Sequence, residues 1–407
     1  MIHPSVYEPA EDSFLLLGQI KDYARGFVLE IGTGSGIIAI EAAKYAYFVI
    51  ATDINNEALK HARENAAKEK ITNISFIHSD LFDYFSKVNH GKISTVLKGI
   101  IASKFDLIIF NPPYLPKDKR EPKESALSTT GGKKGYEILQ RFLENASEYL
   151  LPDGKMLVVF SSLTKKERVD EMIMNCLFEA KQIAEQHVSF ETLYCYELRK
   201  NDLLKSLESK GFSAVRKLTK GHRGLIYTAK LGNKKIAVKK EREDITAVNR
   251  IVNEVQWLKV LNKYKIGPKF IFAEDKYFVY EFVEGDFIGK FLEKSGKSMI
   301  LKILKDVLMQ CYRLDMLKIN KEEMHNPYKH IIVSGTKAAL IDFERMHHTE
   351  DPKNVTQFCQ YLMSGFISKK LKEKGVKIDR MKMIALAQKY KKVMTKESFN
   401  DILKLID

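Results

Sequence analysis

Four consecutive residues, Asn111-Pro112-Pro113-Tyr114, have the types needed to hold a planar amino group. The Asn111 side-chain carbonyl is an acceptor, and the Pro112 carbonyl is fixed in direction because Pro113 locks the backbone after it. Two such acceptors take both hydrogens of an –NH2 group while the Tyr114 ring stacks on its face. The chemistry this suits is methyl transfer to a carboxamide or an exocyclic amine. A carboxamide nitrogen is a poor nucleophile because its lone pair is delocalised into the carbonyl. Catalysis then comes from orienting it in a dry crevice and favouring the positive charge that grows on nitrogen. No general base is needed, since the methylated amide can lose its proton after transfer.

The elements that must position these residues are strands with ligand-type residues at their carboxyl ends, where open α/β sheets bind ligands. Phe105–Phe110 reads as a buried strand that the two prolines terminate. Phe27–Ile31 is an apolar strand running into Gly32-Thr33-Gly34-Ser35-Gly36 and then a helix-spaced segment from Ile37. That is a Rossmann-like first unit, which by itself fits a dinucleotide site equally well. Phe48–Thr52 ends in Asp53, placed to accept from two ribose hydroxyls, and Ile74–His78 leads to Asp80, within reach of an adenine amino group. Singly, either aspartate could be a turn or capping residue. Jointly, four features at four strand ends converge on one crevice. The turn Gly131-Gly132-Lys133-Lys134-Gly135 is expected to be mobile and to close over the substrate.

With 407 residues, 45% apolar and 29% charged, the chain has the composition of a soluble protein of two domains. No apolar run approaches a membrane span and no signal peptide is visible, which implies a cytoplasmic protein without membrane contact. Cys176, Cys195, Cys311 and Cys359 are far apart and imply reduced, buried thiols. The net charge of +15 is uneven: residues 1–200 hold 25 basic against 27 acidic side chains, net −2, leaving +17 for the rest. The basic half suits nucleic acid, nucleotide phosphates or a ribosomal surface, or is simply a lysine-rich solvated face. Lys117, Lys119, Arg120 and Lys123 make a local basic patch or a solvated loop.

Glu30-Ile31-Gly32-Thr33-Gly34-Ser35-Gly36, Asp53, Asp80 and Asn111-Pro112-Pro113-Tyr114 resemble a class I S-adenosylmethionine-dependent methyltransferase. The opening from Val6 to Leu17, with Glu8-Pro9-Ala10-Glu11-Asp12-Ser13, is more specific. It resembles the HemK-related glutamine methyltransferases of eukaryotes and archaea, which modify the Gly-Gly-Gln loop of class I peptide-release factors. The resemblance implies that Ser13 (usually Thr in the family), Glu30, Gly32, Gly34, Gly36, Asp53, Asp80, Leu81 and Asn111 line the methyl-donor site. Asn111, Pro112, Pro113 and Tyr114 would hold the substrate amide. It also implies a small zinc-containing activator protein as partner. An adenine or guanine amino group of RNA or DNA presents the same –NH2 and is the alternative substrate.

In the second half, Lys220-Gly221-His222-Arg223-Gly224 turns into a strand, Ala237-Val238-Lys239 lies on the next, Glu254 falls on a helix, and Glu281-Phe282-Val283 and Asp342 follow apolar strands. This order resembles the protein-kinase-like fold, particularly RIO-type and related archaeal predicted kinases. The resemblance implies ATP contacts at Gly221, Gly224 and Lys239, a Lys239–Glu254 ion pair, an adenine hinge from Glu281 to Val283, and magnesium on Asp342. The catalytic loop departs from the family. His325 stands where the catalytic aspartate belongs and His330 where the metal-binding asparagine belongs, with Asn326 able to supply an oxygen in a shifted register. Phosphotransfer, ATP hydrolysis, ATP-dependent switching and scaffolding all stay open, as does a nucleotide-sensing or ribosome-docking role. The expected fold is α/β: a doubly wound, Rossmann-like class I methyltransferase over residues 1–200, then a kinase-like α+β domain over 201–407. The expected function is N5-methylation of the release-factor glutamine.

Overall fold

A computed structural model describes residues 6–87, 99, 104–117, 129–220, 224–241 and 250–406. The chain folds into two compact units, residues 1–217 with 229–232, and 218–228 with 233–407.

The first unit is built on a seven-stranded sheet. Its strands are β1 (Phe27–Ile31), β2 (Phe48–Asp53), β3 (Ile74–His78), β4 (Phe105–Phe110), β5 (Leu150–Ser161), β6 (Phe178–Val188) and β7 (Glu191–Lys200). Their order is β3-β2-β1-β4-β5-β7-β6. The pairs from β3 through to β5 are parallel, and β7 runs antiparallel to both its neighbours. The centre of this sheet is where the sequence is apolar without alternation, as it must be when both faces are covered. Leu29 of β1 lies between Ile50 and Ile108. Leu16 and Ile20 of helix α1 (Glu11–Tyr23) close one face over Val28, Val49, Leu107 and Leu157. Each such fully buried aliphatic side chain contributes about 1.5–3 kcal/mol.

The strand order reverses at β1, which is flanked by β2 on one side and β4 on the other. Helix α2 (Ile37–Ala43) follows β1 through the glycine turn, and α3 (Asn56–Lys68), capped by the Asn55 side chain, follows β2. Helices α4 (Glu137–Ala146) and α5 (Lys166–Asn175) flank β5 in sequence. Helix α6 (Asp202–Ser209) also belongs to this unit, so the compact body extends past the domain boundary expected at residue 200. Lys200 is tied into this unit. Its buried ammonium donates to the carbonyls of Ser147 and Leu150, each at 2.7 Å, and pairs with Glu208.

In the second unit, strand Lys234–Glu241 pairs antiparallel with Tyr277–Glu281, which pairs in turn with Phe270–Glu274. The long helix Lys297–Met316 runs through the core, burying Ile300, Ile303, Leu304, Val307, Leu308, Cys311 and Leu314 at helical spacing. Asp315 at its end is buried and accepts from Asn354, Val355 and Tyr390, tying three segments together. A hairpin, Ile331–Ser334 with Lys337–Leu340, leads directly to Asp342. All four cysteines are buried and free. Among the described residues no helix is long and apolar enough to cross a membrane.

Candidate active site

The carboxyl ends of β1, β2 and β4, the loop after β3 and the start of α1 enclose a cavity of about 340 Å³ in the first unit. Ser13, Glu30, Gly32, Gly34, Asp53, Asp80, Leu81, Asn111, Pro112, Pro113 and Tyr114 all line it. Gly36, expected beside them, does not. It adopts φ +85° as the cap of α2, and a Cβ there would lie 2.8 Å from that of Ala62. Its lack of a side chain serves helix packing against α3, not a ligand.

Glu30 is 3% exposed and its carboxylate accepts from the Thr33 hydroxyl at 2.5 Å. Burial pushes its pKa up to about 8, and the nearby Asp53 adds to this against the Thr33 bond. Asp53 accepts from the backbone N–H of Gly34 at 2.9 Å and of Asn55 at 2.8 Å, so β2 and the glycine turn fix its direction. Burial raises this carboxyl too. Asp80, read from the sequence as an adenine contact, has one oxygen already on the Arg141 guanidinium at 3.0 Å. Leu81 takes φ +47°, a backbone conformation uncommon outside glycine.

Tyr7, Asp12, Tyr114 and Glu191 make part of the cavity wall aromatic and acidic. Tyr7 donates its hydroxyl to Asp12 at 3.1 Å, and Asp12 also accepts from the Ser13 N–H at 2.6 Å. Burial, then Asp12 and Glu191, hold the Tyr114 phenol well above its usual range, so the ring beside Asn111 is neutral. Asn111 Oδ1 and Glu191 Oε2 are both buried without a hydrogen-bond partner among the described residues. Both residues line this one cavity.

The glycine turn at 131–135 differs from the mobile lid expected. Thr130–Gly132 pairs with Leu115–Pro116, directly after Tyr114. A Cβ on Gly131 would lie 2.5 Å from the Pro113 carbonyl, so the glycine lets the two backbones touch. The Lys134 N–H donates to the Glu137 carboxylate at 3.1 Å. The turn therefore braces the Asn-Pro-Pro-Tyr loop. Of the basic residues after that loop, Lys117 is exposed. Lys119, Arg120 and Lys123 lie outside the described residues. Tyr7, Asp12, Arg141 and Glu191 are cavity residues that sequence reasoning did not assign to the site.

In the second unit, Lys239 donates to Glu254 at 2.6 Å and to Asp342 at 3.2 Å. Burial alone would lower the lysine, but the two carboxylates outweigh it and hold its pKa above the ordinary value. Gly224 lies against this lysine, a Cβ there falling 3.3 Å from Lys239 Cε. Gly221 is outside the described residues. Asp342 takes φ +63°, strained for an aspartate. Lys321, which sequence reasoning missed, is buried with its ammonium on the Asp342 carbonyl and on Glu323 at 3.1 Å.

His330 Nδ1 lies 3.7 Å from Asp342, whereas His325 is exposed and bonded to the Glu322 carbonyl, and Asn326 is exposed. The Glu281 side chain faces Lys234 at 3.4 Å and Lys269 at 3.7 Å, and its N–H donates to the Lys269 carbonyl. Val283, the other end of the expected hinge, follows this strand. Carboxylate oxygens of Glu254, Asp342 and Glu344 lie within 4.8 Å of one another, a spacing that suits a hard divalent cation.

Residues 7–194 match the methyltransferase small domain family. A protein of Methanocaldococcus jannaschii, named provisionally as a protein N5-glutamine methyltransferase, is 40% identical over 195 residues, which are 47% of this chain and 90% of that protein. The mouse methyltransferase HEMK2 is 33% identical over 182 residues, 42% of this chain and 77% of its own length. The solved Mtq2–Trm112 complex of E. cuniculi, described as responsible for methylating the termination factor eRF1, is 22% identical with a TM-score of 0.36 over 48% of this chain and 99% of that one. The strand order of the first unit is that of a class I Rossmann-like methyltransferase, and through this half the chain belongs to the HemK-like methyltransferase small domain family.

Proposed function

We propose that the first unit transfers a methyl group from S-adenosylmethionine to the side-chain nitrogen of a glutamine, in the Gly-Gly-Gln motif of a class I peptide-release factor. The observation that carries this is Asn111 Oδ1: a buried acceptor without a partner among the described residues, at the end of β4, beside a proline whose carbonyl direction is fixed. An unsatisfied buried carbonyl costs about 1–3 kcal/mol, which a substrate –NH2 would recover on binding.

The cavity fits the methyl donor in the chemistry of its walls. Asp53 would accept from the ribose hydroxyls, Glu30 and Ser13 would flank the amino-acid end, and Leu81 with Asp80 would meet the base. When bound, the donor supplies an electrophilic methyl on a sulfonium. Asn111 and Pro112 orient the amide nitrogen toward it, the neutral Tyr114 ring covers the amide face, and water is kept from the reacting atoms. The relatives' names support glutamine over a nucleobase, and so does the acid-rich substrate end, which would repel a phosphate backbone. A small zinc-containing activator belongs to the same reading.

The test is transfer of labelled methyl to purified release factor, with and without a candidate activator, beside RNA and DNA. Label should appear on the Gly-Gly-Gln glutamine and vanish in Asn111→Ala while binding of S-adenosylhomocysteine persists. Label on nucleic acid and none on release factor would sink the proposal.

For the second unit we propose nucleotide binding of the kinase-like type, supported by the Lys239–Glu254 pair converging on Asp342. Lys239 would meet phosphate oxygens and Asp342 a magnesium ion. Asp342→Ala should abolish magnesium-dependent ATP binding, and equal binding by variant and wild type would remove this assignment.

A further inference from the structure

Beside Asp342, the second unit presents a nitrogen that a magnesium site does not use. His330 Nδ1 is buried without a hydrogen-bond partner among the described residues. Asp342 Oδ2 lies 3.7 Å from it, beyond hydrogen-bond reach. The other oxygen of this carboxylate, Oδ1, accepts from Lys239 at 3.2 Å. Asp342 therefore divides its two oxygens between an ammonium and an imidazole. With its hydrogen on Nε2, His330 turns the Nδ1 lone pair toward Oδ2. Two buried acceptors facing each other are costly unless a donor or a cation lies between them.

The backbone fixes both partners. His330 directly precedes the strand Ile331–Ser334, and Asp342 follows closely on the strand Lys337–Leu340 that pairs with it. The Ile341 N–H donates to the His330 carbonyl at 3.0 Å, and the His330 N–H donates to the Pro327 carbonyl at 2.9 Å. Lys321 holds the Asp342 carbonyl. The two side chains thus spring from the open end of one hairpin, a rigid platform for a site. Ligand atoms about 2.1 Å from a shared ion are about 3.0–3.6 Å apart at the usual coordination angles, so a slight turn of the carboxylate closes the pair on an ion. Charge agrees. The two ammoniums that touch Asp342 have carboxylates of their own, Lys239 with Glu254 at 2.6 Å and Lys321 with Glu323 at 3.1 Å. The Asp342 charge is left for a cation, and Glu344 brings a further carboxylate oxygen within 4.8 Å of those of Asp342 and Glu254.

This donor pair does not fit magnesium, which takes oxygen ligands and keeps several waters. An imidazole nitrogen suits first-row transition-metal ions instead. We propose that His330 Nδ1 and Asp342 Oδ2 form a metal site that selects a divalent transition-metal ion over magnesium. The inference rests on the nucleotide-binding reading for what the ion does, but the preference belongs to the two ligands. Magnesium at high concentration would still reach Asp342 through oxygen alone, more weakly.

The test is metal binding to the full-length protein, with Mn2+ as the probe and Mg2+ as its competitor. Mn2+ bound without nucleotide should show nitrogen modulation in its electron-spin echo, the mark of a histidine ligand. His330→Asn replaces that nitrogen by an amide oxygen, so the modulation should vanish while Mg2+ affinity holds or improves. The ratio of Mn2+ to Mg2+ affinity should fall on the order of tenfold. Asp342→Ala should lose both ions. Bound Mn2+ without nitrogen modulation in wild type, or a modulation that survives His330→Asn, would overturn the inference. So would an equal loss of both ions in His330→Asn, the result expected of a merely structural histidine. Titration with ATP in either ion tests the nucleotide-binding reading separately. If ATP binds with neither ion while the histidine signal is present, that reading fails and the metal site stands.

Discussion

Replacing Glu30 by glutamine should make the first unit more stable, and increasingly so as pH rises. Folded Glu30 keeps its proton up to about pH 8, whereas its ordinary value is 4.5. Unfolding therefore releases a proton between these limits. The sign follows: the stability linked to this group is full below about pH 4.5, declines as pH rises, and is lost once pH passes about 8. Each pH unit inside the window is worth up to about 1.4 kcal/mol, so the whole span is worth at most about 5 kcal/mol. Glutamine cannot ionise, and its amide can still accept from the Thr33 hydroxyl that now bonds Glu30. At pH 5 the variant and wild type should be close, and by pH 8 the variant should lead by several kcal/mol, about a tenfold change in opening equilibrium per pH unit.

The single tryptophan, Trp257, lies in the second unit and is blind to this event. The assay is hydrogen exchange by mass spectrometry on peptides covering β1 and α2, corrected for intrinsic exchange at each pH. A constant offset between the two proteins from pH 5 to 8 would refute the reasoning, because it would mean that Glu30 is ionised in the folded state throughout.

Gly36→Ala should destabilise the first unit by about 1–3 kcal/mol, since the residue combines φ +85° with an approach of 2.8 Å to Ala62, yet leave S-adenosylhomocysteine affinity nearly intact. Calorimetry supplies both readouts, and lost affinity with unchanged stability would contradict the packing role. Lys239→Met should cost the second unit about 3–5 kcal/mol by stranding the buried Glu254 carboxylate. Trp257 fluorescence follows that unfolding, and Lys239→Met with Glu254→Leu should recover much of the loss. A double variant no more stable than the single one would count against a stranded charge.

The parts of the crevice that were legible share one property: each sits at the carboxyl end of an uninterrupted apolar run. Asp53, Asp80 and Asn111 could be placed together because a parallel sheet brings such ends to one edge whatever the intervening loops do. Gly36 misled for a related reason. A glycine-rich turn contains residues that approach a ligand and residues that approach a helix, and only the position of Ala62 distinguishes them. The first unit continues past residue 200, and the residues there carry the signal for it. Asn201 caps α6 by accepting from the Leu204 N–H, and Leu203, Leu204 and Leu207 give the helix an apolar face. An asparagine before such spacing marks a helix start.

Glu191 and Arg141 were not legible because nothing local marks them. Glu191 reaches the cavity through the pairing of β7 with β5, a contact between Ser161 and Leu193 and the residues that follow, set by the sheet and not by a motif. Arg141 reaches Asp80 across 61 residues of sequence. The division has a physical basis. Gripping an amide nitrogen needs rigid backbone and an amide side chain, which a short proline-locked motif provides by itself. A side chain that arrives from a strand two places away in the sheet has no such local signature, because its position is built by tertiary structure. Asn111 and Glu191 both bring to this cavity an acceptor without a partner among the described residues, yet only Asn111, which sits in a motif, could be found by reading along the chain.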